Sequence, residues 1–231
     1  MVITVASGKG GTGKTLISTS LAISIGNVQF LDCDVEEPNS YIFIKPVIEK
    51  EIGIETFIPE IDLSKCNFCK KCQEICKYNA IAVLKDKVIV FEQLCHHCGA
   101  CIWVCPNKAI SEKKVKLGTI RKGKSNSIEF LEGRLEVGQP VAPPLIKELK
   151  KYIVEEKDVI VDSAPGVACP FVNAVYGSDF VILVTEPTPF GLYDLKLAVE
   201  VCENLNLNKG VIINRSGKED SLIENFCEEK N

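Results

Sequence analysis

Two groups of residues in this 231-residue chain have the types and spacing to do chemistry. The first is Gly8-Lys9-Gly10-Gly11-Thr12-Gly13-Lys14-Thr15. Its glycines let the backbone curl so that successive N–H groups face one anion. In such a loop Lys14 reaches the β- and γ-phosphates and the Thr15 hydroxyl sits on Mg²⁺. The second group is cysteine. Cys66, Cys69, Cys72 and Cys76 are spaced C-x2-C-x2-C-x3-C, and Cys95, Cys98, Cys101 and Cys105 repeat that spacing 29 residues later. The same offset carries Ala80-Ile81 onto Ala109-Ile110, so a whole unit is duplicated. Thiolates are soft ligands that suit iron–sulfur centres. Zinc sites usually pair two C-x2-C knuckles without the third cysteine.

These residues need elements to hold them. The β-branched run Val2 to Ala6 predicts a buried strand before the glycine loop, and Leu16 to Ile25 predicts a helix after it. Strand, glycine loop and helix in that order make a phosphate-binding loop, with the positive end of the helix aimed at the anion. Val28 to Leu31 predicts a second strand, leading into Asp32-Cys33-Asp34. Acidic residues at the carboxyl end of a neighbouring strand lie where open α/β sheets bind ligands. Val159 to Val161 predicts another strand, ending in Asp162-Ser163-Ala164-Pro165-Gly166. Leu145 to Val154, with prolines at its start, and the stretch from Pro189 to about Leu205 read as helices. Phe180 to Thr185 and Gly210 to Ile213 read as strands, the latter ending in Asn214. Ile81 to Leu84 and Lys87 to Phe91 suggest a hairpin within the cysteine region. Val115 to Ile120 and Arg134 to Val137 suggest strands returning from it, and 41–63 reads as a connector. The alternation predicts a doubly wound, mainly parallel α/β sheet over 1–61 and 113–231, with an α+β module inserted at 62–112.

The stretch Lys9-Gly-Gly-Thr-Gly-Lys-Thr15 resembles the deviant Walker A of the MinD/ParA/nitrogenase-iron-protein class of ATPases. That resemblance implies that Gly8 to Thr15 bind ATP or ADP and that Lys9 is a signature lysine reaching a partner's nucleotide in an ATP-dependent homodimer. It implies that Asp34 positions the attacking water, that Asp32 and Asp162 hold Mg²⁺ through water, and that Gly166 lies near the γ-phosphate. It further implies that Asn214 recognises adenine. The cysteine runs resemble bacterial two-cluster ferredoxins, in which the fourth cysteine of each run ligates the other cluster. The resemblance therefore assigns Cys66, Cys69, Cys72 and Cys105 to one [4Fe–4S] cluster, and Cys95, Cys98, Cys101 and Cys76 to the other. Lys77 departs from it, standing where the first run would have proline. The whole chain is similar to MinD-superfamily ATPases with an inserted ferredoxin domain. It implies an ATPase that couples nucleotide state to electron transfer or metallocofactor maturation, working with a redox or assembly protein partner. The alternative is a positioning ATPase with structural or sensory clusters. An amidoligase of the same class is disfavoured, because nothing resembles its glutaminase half.

Composition narrows the field. With 46% hydrophobic and 25% charged residues the chain is an ordinary globular one. A net charge of −4 without a long basic run argues against nucleic acid. No apolar stretch has the length of a membrane span, no signal peptide is visible, and twelve cysteines then imply a reducing cytoplasm. Cys33, Cys202 and Cys227 are expected in the core, Cys169 as a buried or switch-associated thiol, and His96 and His97 at the surface. The family continues beyond the position of Asn231 with another strand and helices, so an uncovered sheet edge is expected here.

Overall fold

The computed structural model describes residues 1–230. In chain order the elements are β1 (Val2–Ala6), α1 (Lys14–Ile25), β2 (Val28–Asp32), α2 (Tyr41–Ile44), β3 (Val47–Ile61), α3 (Lys71–Ile75), β4 (Ile81–Val83), β5 (Val88–Val90), α4 (Ala100–Trp103) and β6 (Ile110–Ser125). There follow β7 (Ile128–Leu135), α5 (Pro143–Lys150), β8 (Asp158–Asp162), α6 (Cys169–Val175), β9 (Phe180–Thr185), α7 (Pro189–Asn204), β10 (Lys209–Ile213) and α8 (Ser221–Glu229).

Eight strands form one sheet in the order β10-β9-β1-β8-β2-β7-β6-β3. The pairs from β10 to β7 are parallel. Strands buried on both faces read as largely apolar runs, and β1, β2, β8 and β9 do, with Gln29 the one polar side chain in the middle of β2 and acids at the carboxyl ends of β2 and β8. One face packs around Phe171, Leu183, Leu195 and Ile223, the other around Phe30, Phe130 and Ile160. Cys202 is fully buried in the first of these clusters, as expected, while Cys227 only borders it, half-buried.

The chain divides into two compact units. One comprises Met1–Ile52, Thr119–Arg134 and the chain from Ala142 onward; the other comprises Gly53–Gly118 and Leu135–Val141. The chain passes between them along β3 and β6, and four stretches depart from the sequence reading there. Residues 41–63 do lead out of the first unit, but as ordered structure: they form α2 and a 15-residue strand. The strand expected at 115–120 is the middle of a 16-residue strand, and the one expected at 134–137 lies at 128–135. In β7 the charges of Glu129, Glu132 and Arg134 mask the apolar run. Buried Glu132 is neutralised by Arg121 at 2.7 Å and Arg134 at 2.5 Å. The helix expected at 145–154 runs over Pro143–Lys150.

In the second unit β4 and β5 pair antiparallel, with Ile81 opposite Val90 and Val83 opposite Val88. The duplication seen in the sequence recurs in the backbone. Phe68, Lys70 and Asn79 have φ of 56°, 64° and 54°, and their counterparts 29 residues on, His97, Gly99 and Lys108, have 56°, 71° and 48°. Two copies of one loop shape therefore carry the two cysteine runs.

Candidate functional site

The glycine loop joins β1 to α1 and lines a cavity of about 370 Å³ with Asp34, Glu37, Asn39, Phe43 and Pro165. Lys9, Gly10, Gly11, Thr12, Gly13, Lys14 and Thr15 all face it. Two glycines are required by close approach. A Cβ on Gly8 would overlap the Asp194 carbonyl oxygen of α7. Gly13 has φ +91°, and a Cβ there would overlap Asn214 Nδ2. That Asn214 amide donates to the Thr12 carbonyl at 2.8 Å, so the end of β10 braces the loop.

Lys14 is buried and donates to Asp162 Oδ1 at 2.9 Å, with Asp34 Oδ2 at 3.9 Å. Burial works against its charge, but Asp162, Asp34 and Asp32 outweigh it and hold the ammonium above its ordinary range. The acids respond in the opposite sense. Burial, then the charge of Asp162, pushes Asp32 up to about 7, against hydrogen bonds from Ser40. Burial raises Asp34 to about 6, against the pull of Lys14. Asp32 organises the following loop: its Oδ1 accepts from the Asp34 N–H at 3.1 Å, and its Oδ2 from the Ser40 N–H at 3.1 Å and from the Ser40 hydroxyl. Cys33 between them is fully buried, which pushes its thiol up to about 12. Of the four buried side-chain polar atoms without a hydrogen-bond partner among the described residues, two lie at this site, Asp162 Oδ2 and Thr12 Oγ1. Native proteins pair such groups, so an unpaired carboxylate oxygen facing a lysine and two further acids fits a site for a bound cation. Gly166 follows on the same turn, with φ +87° and its N–H donating to the Ser7 carbonyl.

Two partners of the loop, Glu186 and Arg215, carry no local signal in the sequence. Glu186, just after β9, accepts from Lys9 Nζ at 3.3 Å and pairs with Arg215 at 2.5 Å. Of the two expectations for Cys169, a buried or a switch-associated thiol, its exposure at the start of α6 rules out the buried one.

The eight clustered cysteines line two further cavities, both in the second unit. Cys66, Cys69, Cys72 and Cys105 line one of about 20 Å³; Cys76, Cys95, Cys98 and Cys101 line the other, of about 60 Å³. Backbone N–H groups of Phe68, Ala80 and Ala109 approach Cys66, Cys76 and Cys105 sulfurs at 3.4, 3.3 and 3.2 Å. Burial raises the thiols of Cys72 and Cys95, and that of Cys101 to about 11. Among the described residues no group of three or more His, Cys, Asp or Glu side chains is placed to hold a single metal ion. The histidines do more than face solvent. His96 stacks on Tyr78 with ring centroids 3.5 Å apart, and His97 contacts the Phe57 carbonyl at 3.0 Å and Gln139 Oε1 at 3.2 Å.

A parallel sheet with a glycine loop at the end of its β1 strand defines a nucleotide-binding α/β protein. The chain belongs to the CobQ/CobB/MinD/ParA nucleotide-binding domain family, whose profile (CbiA) matches residues 3–231. It is 34% identical to the uncharacterized protein MJ0579 of Methanocaldococcus jannaschii over 96% of this chain and 83% of that protein. The fold is similar to the cell division ATPase MinD of Pyrococcus furiosus, with a TM-score of 0.54 and 16% identity over 98% of this chain and 79% of that one. A 45-residue stretch, 20% of this chain, is 42% identical to 17% of a subunit of the ion-translocating oxidoreductase complex of Methanosarcina acetivorans. No helix among the described residues is long and apolar enough to cross a membrane.

Proposed function

We propose that this protein is an ATPase carrying two [4Fe–4S] clusters, which couples nucleotide state to electron transfer or to assembly of a metallocofactor. One observation carries the reading: each cavity of the cysteine unit is lined by three cysteines of one run and the fourth of the other. That crossed set is the ligand pattern of two-cluster ferredoxins. The donor set also fits, being four thiols with apolar walls and backbone N–H groups on sulfur. When bound, the clusters supply one-electron chemistry. The chain's own residues fix the ligands, exclude water and tune charge around them.

At the nucleotide site Lys14 and the loop N–H groups bind the phosphates. Thr15 would hold Mg²⁺ directly and Asp162 and Asp32 would hold it through water, while Asp34 would orient the attacking water. Lys14 must then leave Asp162 for the phosphates, so nucleotide and metal arrive together in place of the present ion pair. Gly166 senses the γ-phosphate and Asn214, bracing the loop, borders the base. The chain leaves the nucleotide unit through β3, soon after the loop that Asp32 organises. Its return through β6 precedes Asp162 in sequence. Segments ordered by a γ-phosphate thus flank the cysteine unit in the chain.

Coupling energies between sites are typically about 1–3 kcal/mol. A tenfold change is about 59 mV for one electron. The midpoint of at least one cluster is therefore expected to differ by roughly 40–130 mV between ADP and a non-hydrolysable ATP analogue. Redox titration followed by EPR measures this. Identical midpoints and electron-transfer rates would instead leave a nucleotide-dependent positioning ATPase with passive clusters.

Lys9 is expected to act across a homodimer. In the present state Glu186 holds its amine, and the first turns of neighbouring α7 expose Phe190 and Tyr193 at 80% and 63%. Exposed aromatics beside a functional loop fit a surface that a partner covers. With hydrolysis blocked by Asp34→Ala, ATP is expected to shift the protein to a dimer in sedimentation, and adding Lys9→Ala to restore the monomer. A monomer at saturating ATP without the Lys9 change would refute the role in trans.

A further inference from the structure

The two cysteine cavities have the same loop shape but opposite surroundings. The lining of the Cys66/Cys69/Cys72/Cys105 cavity includes Lys70 and Lys71 and no carboxylate. The lining of the other includes Glu112 and no lysine or arginine. The repeat offset makes the contrast position by position, because Lys70 and Lys71 correspond to Gly99 and Ala100. Flanking residues add charge at both: Lys87 and Lys108 adjoin Val88 and Asn107 of this cavity, and Lys77 adjoins Cys76 and Tyr78 of the other. Lys70, Lys71, Lys108 and Cys69 are exposed. Among the described residues no carboxylate lies within 4.0 Å of these three amines, whereas nearby Lys65 is paired with Asp62 at 2.8 Å. Helix α3, whose Lys71 and Cys72 line this cavity, leaves Ile75 exposed, whereas the exposed Trp103 lies on α4, whose Ala100, Cys101 and Ile102 line the other cavity. An exposed, unpaired basic rim next to a redox site fits a protein interface in which charge supplies approach and orientation.

We propose that the mouth of the Cys66/Cys69/Cys72/Cys105 cavity is the docking surface for an acidic one-electron carrier protein. The proposal rests on the iron–sulfur reading above. One electron passes from the reduced carrier to the cluster held there. The carrier is oxidised by one electron, the cluster is reduced by one, and no bond or proton moves. The opposite cavity, with Glu112 and the Tyr78–His96 stack in its lining, is left for transfer within or beyond this chain. The chain as a whole carries −4, so this local positive field is the feature that steers an acidic partner.

The test uses the anaerobically reconstituted full chain with an acidic plant-type [2Fe–2S] ferredoxin as probe and a basic cytochrome c as the opposite-charge control. Dissociation constants are measured by calorimetry, and stopped-flow absorbance gives the second-order rate of electron transfer. Acidic-probe binding is expected to weaken about tenfold or more between roughly 0.02 and 0.2 M salt. Lys70→Glu with Lys71→Glu is expected to weaken it at least about tenfold at low salt, with iron content and EPR signal unchanged. Lys147→Glu with Lys218→Glu, the same charge change at exposed positions of the nucleotide unit, is expected to leave binding near wild type. If the Lys70/Lys71 variant keeps its iron and binds the probe as well as wild type does, the docking surface is wrong and the cluster reading stands. A wild-type protein without iron after reconstitution overturns both. A single-stranded oligonucleotide that competes at the same site with equal affinity would also overturn the proposal, making the rim a polyanion site.

Discussion

Replacing Lys14 with alanine is expected to abolish ATP binding. The side chain is only 6% exposed, faces the loop cavity and is the one ammonium balancing Asp32, Asp34 and Asp162. Hydrogen bonds to charged groups contribute about 1.5–3 kcal/mol each, and every 1.4 kcal/mol is tenfold in affinity. Loss of the lysine's phosphate contacts should therefore weaken ATP by two orders of magnitude or more, measured by equilibrium dialysis. The substitution also leaves three buried acids uncompensated. Asp32 already titrates near 7, far above an unfolded aspartate. A raised acid favours the folded state at low pH and loses that advantage as pH climbs toward its folded value. The nucleotide-free Lys14→Ala protein should thus lose thermal stability relative to wild type mainly above about pH 6, where Asp32 and Asp34 would have to ionise without their partner. Asp34→Ala should separate binding from turnover: it removes the acid 3.9 Å from Lys14 without touching the loop backbone. ATP should still bind, and hydrolysis should stop. Hydrolysis at the wild-type rate would remove Asp34 from its assigned role.

What the sequence made legible was local. A glycine run, a repeated cysteine spacing and short apolar strands are each set by a few adjacent residues. Strands β1, β2, β8, β9 and β10 lie within a residue of where their apolar runs put them. Of the long strands, β6 was legible only in its middle and β3 not at all, because half-exposed strands, β3 at the sheet edge and β6 beside it, carry charge where a buried strand carries valine. Glu49, Lys50 and Glu51 of β3 are exposed, a composition that keeps an edge strand from pairing with another chain. Around the nucleotide loop, the residues missed were those brought in from far along the chain. Glu186 meets Lys9 across 177 positions, and Asp194 meets Gly8 through a glycine whose missing side chain is visible only in the fold. His96 and His97 read as surface residues because neither sequence neighbour hints at Tyr78 or Gln139.

The crossed cysteine sets make the other large prediction, since they separate spatial from sequence neighbours. Anaerobically prepared wild-type protein should carry about eight iron atoms, four for each four-thiol cavity. If clusters followed the sequence runs, Cys66→Ala and Cys105→Ala would damage different clusters. In the structure those two residues share one cavity, while Cys76, from the first run, lies with Cys95, Cys98 and Cys101. Cys66→Ala and Cys105→Ala should therefore each lose about half the iron and the same EPR signal, and their combination should lose little more. Cys76→Ala should remove the other signal, and joined to Cys66→Ala it should bring iron close to zero. The two signals are expected to be distinguishable because their surroundings differ, lysines at one cavity and a Tyr78–His96 stack at the other, and nearby charge tunes cluster potential. Stoichiometric zinc in place of iron would defeat the assignment. So would additive iron loss from Cys66→Ala and Cys105→Ala, because two ligands of one cluster cannot each remove a different half.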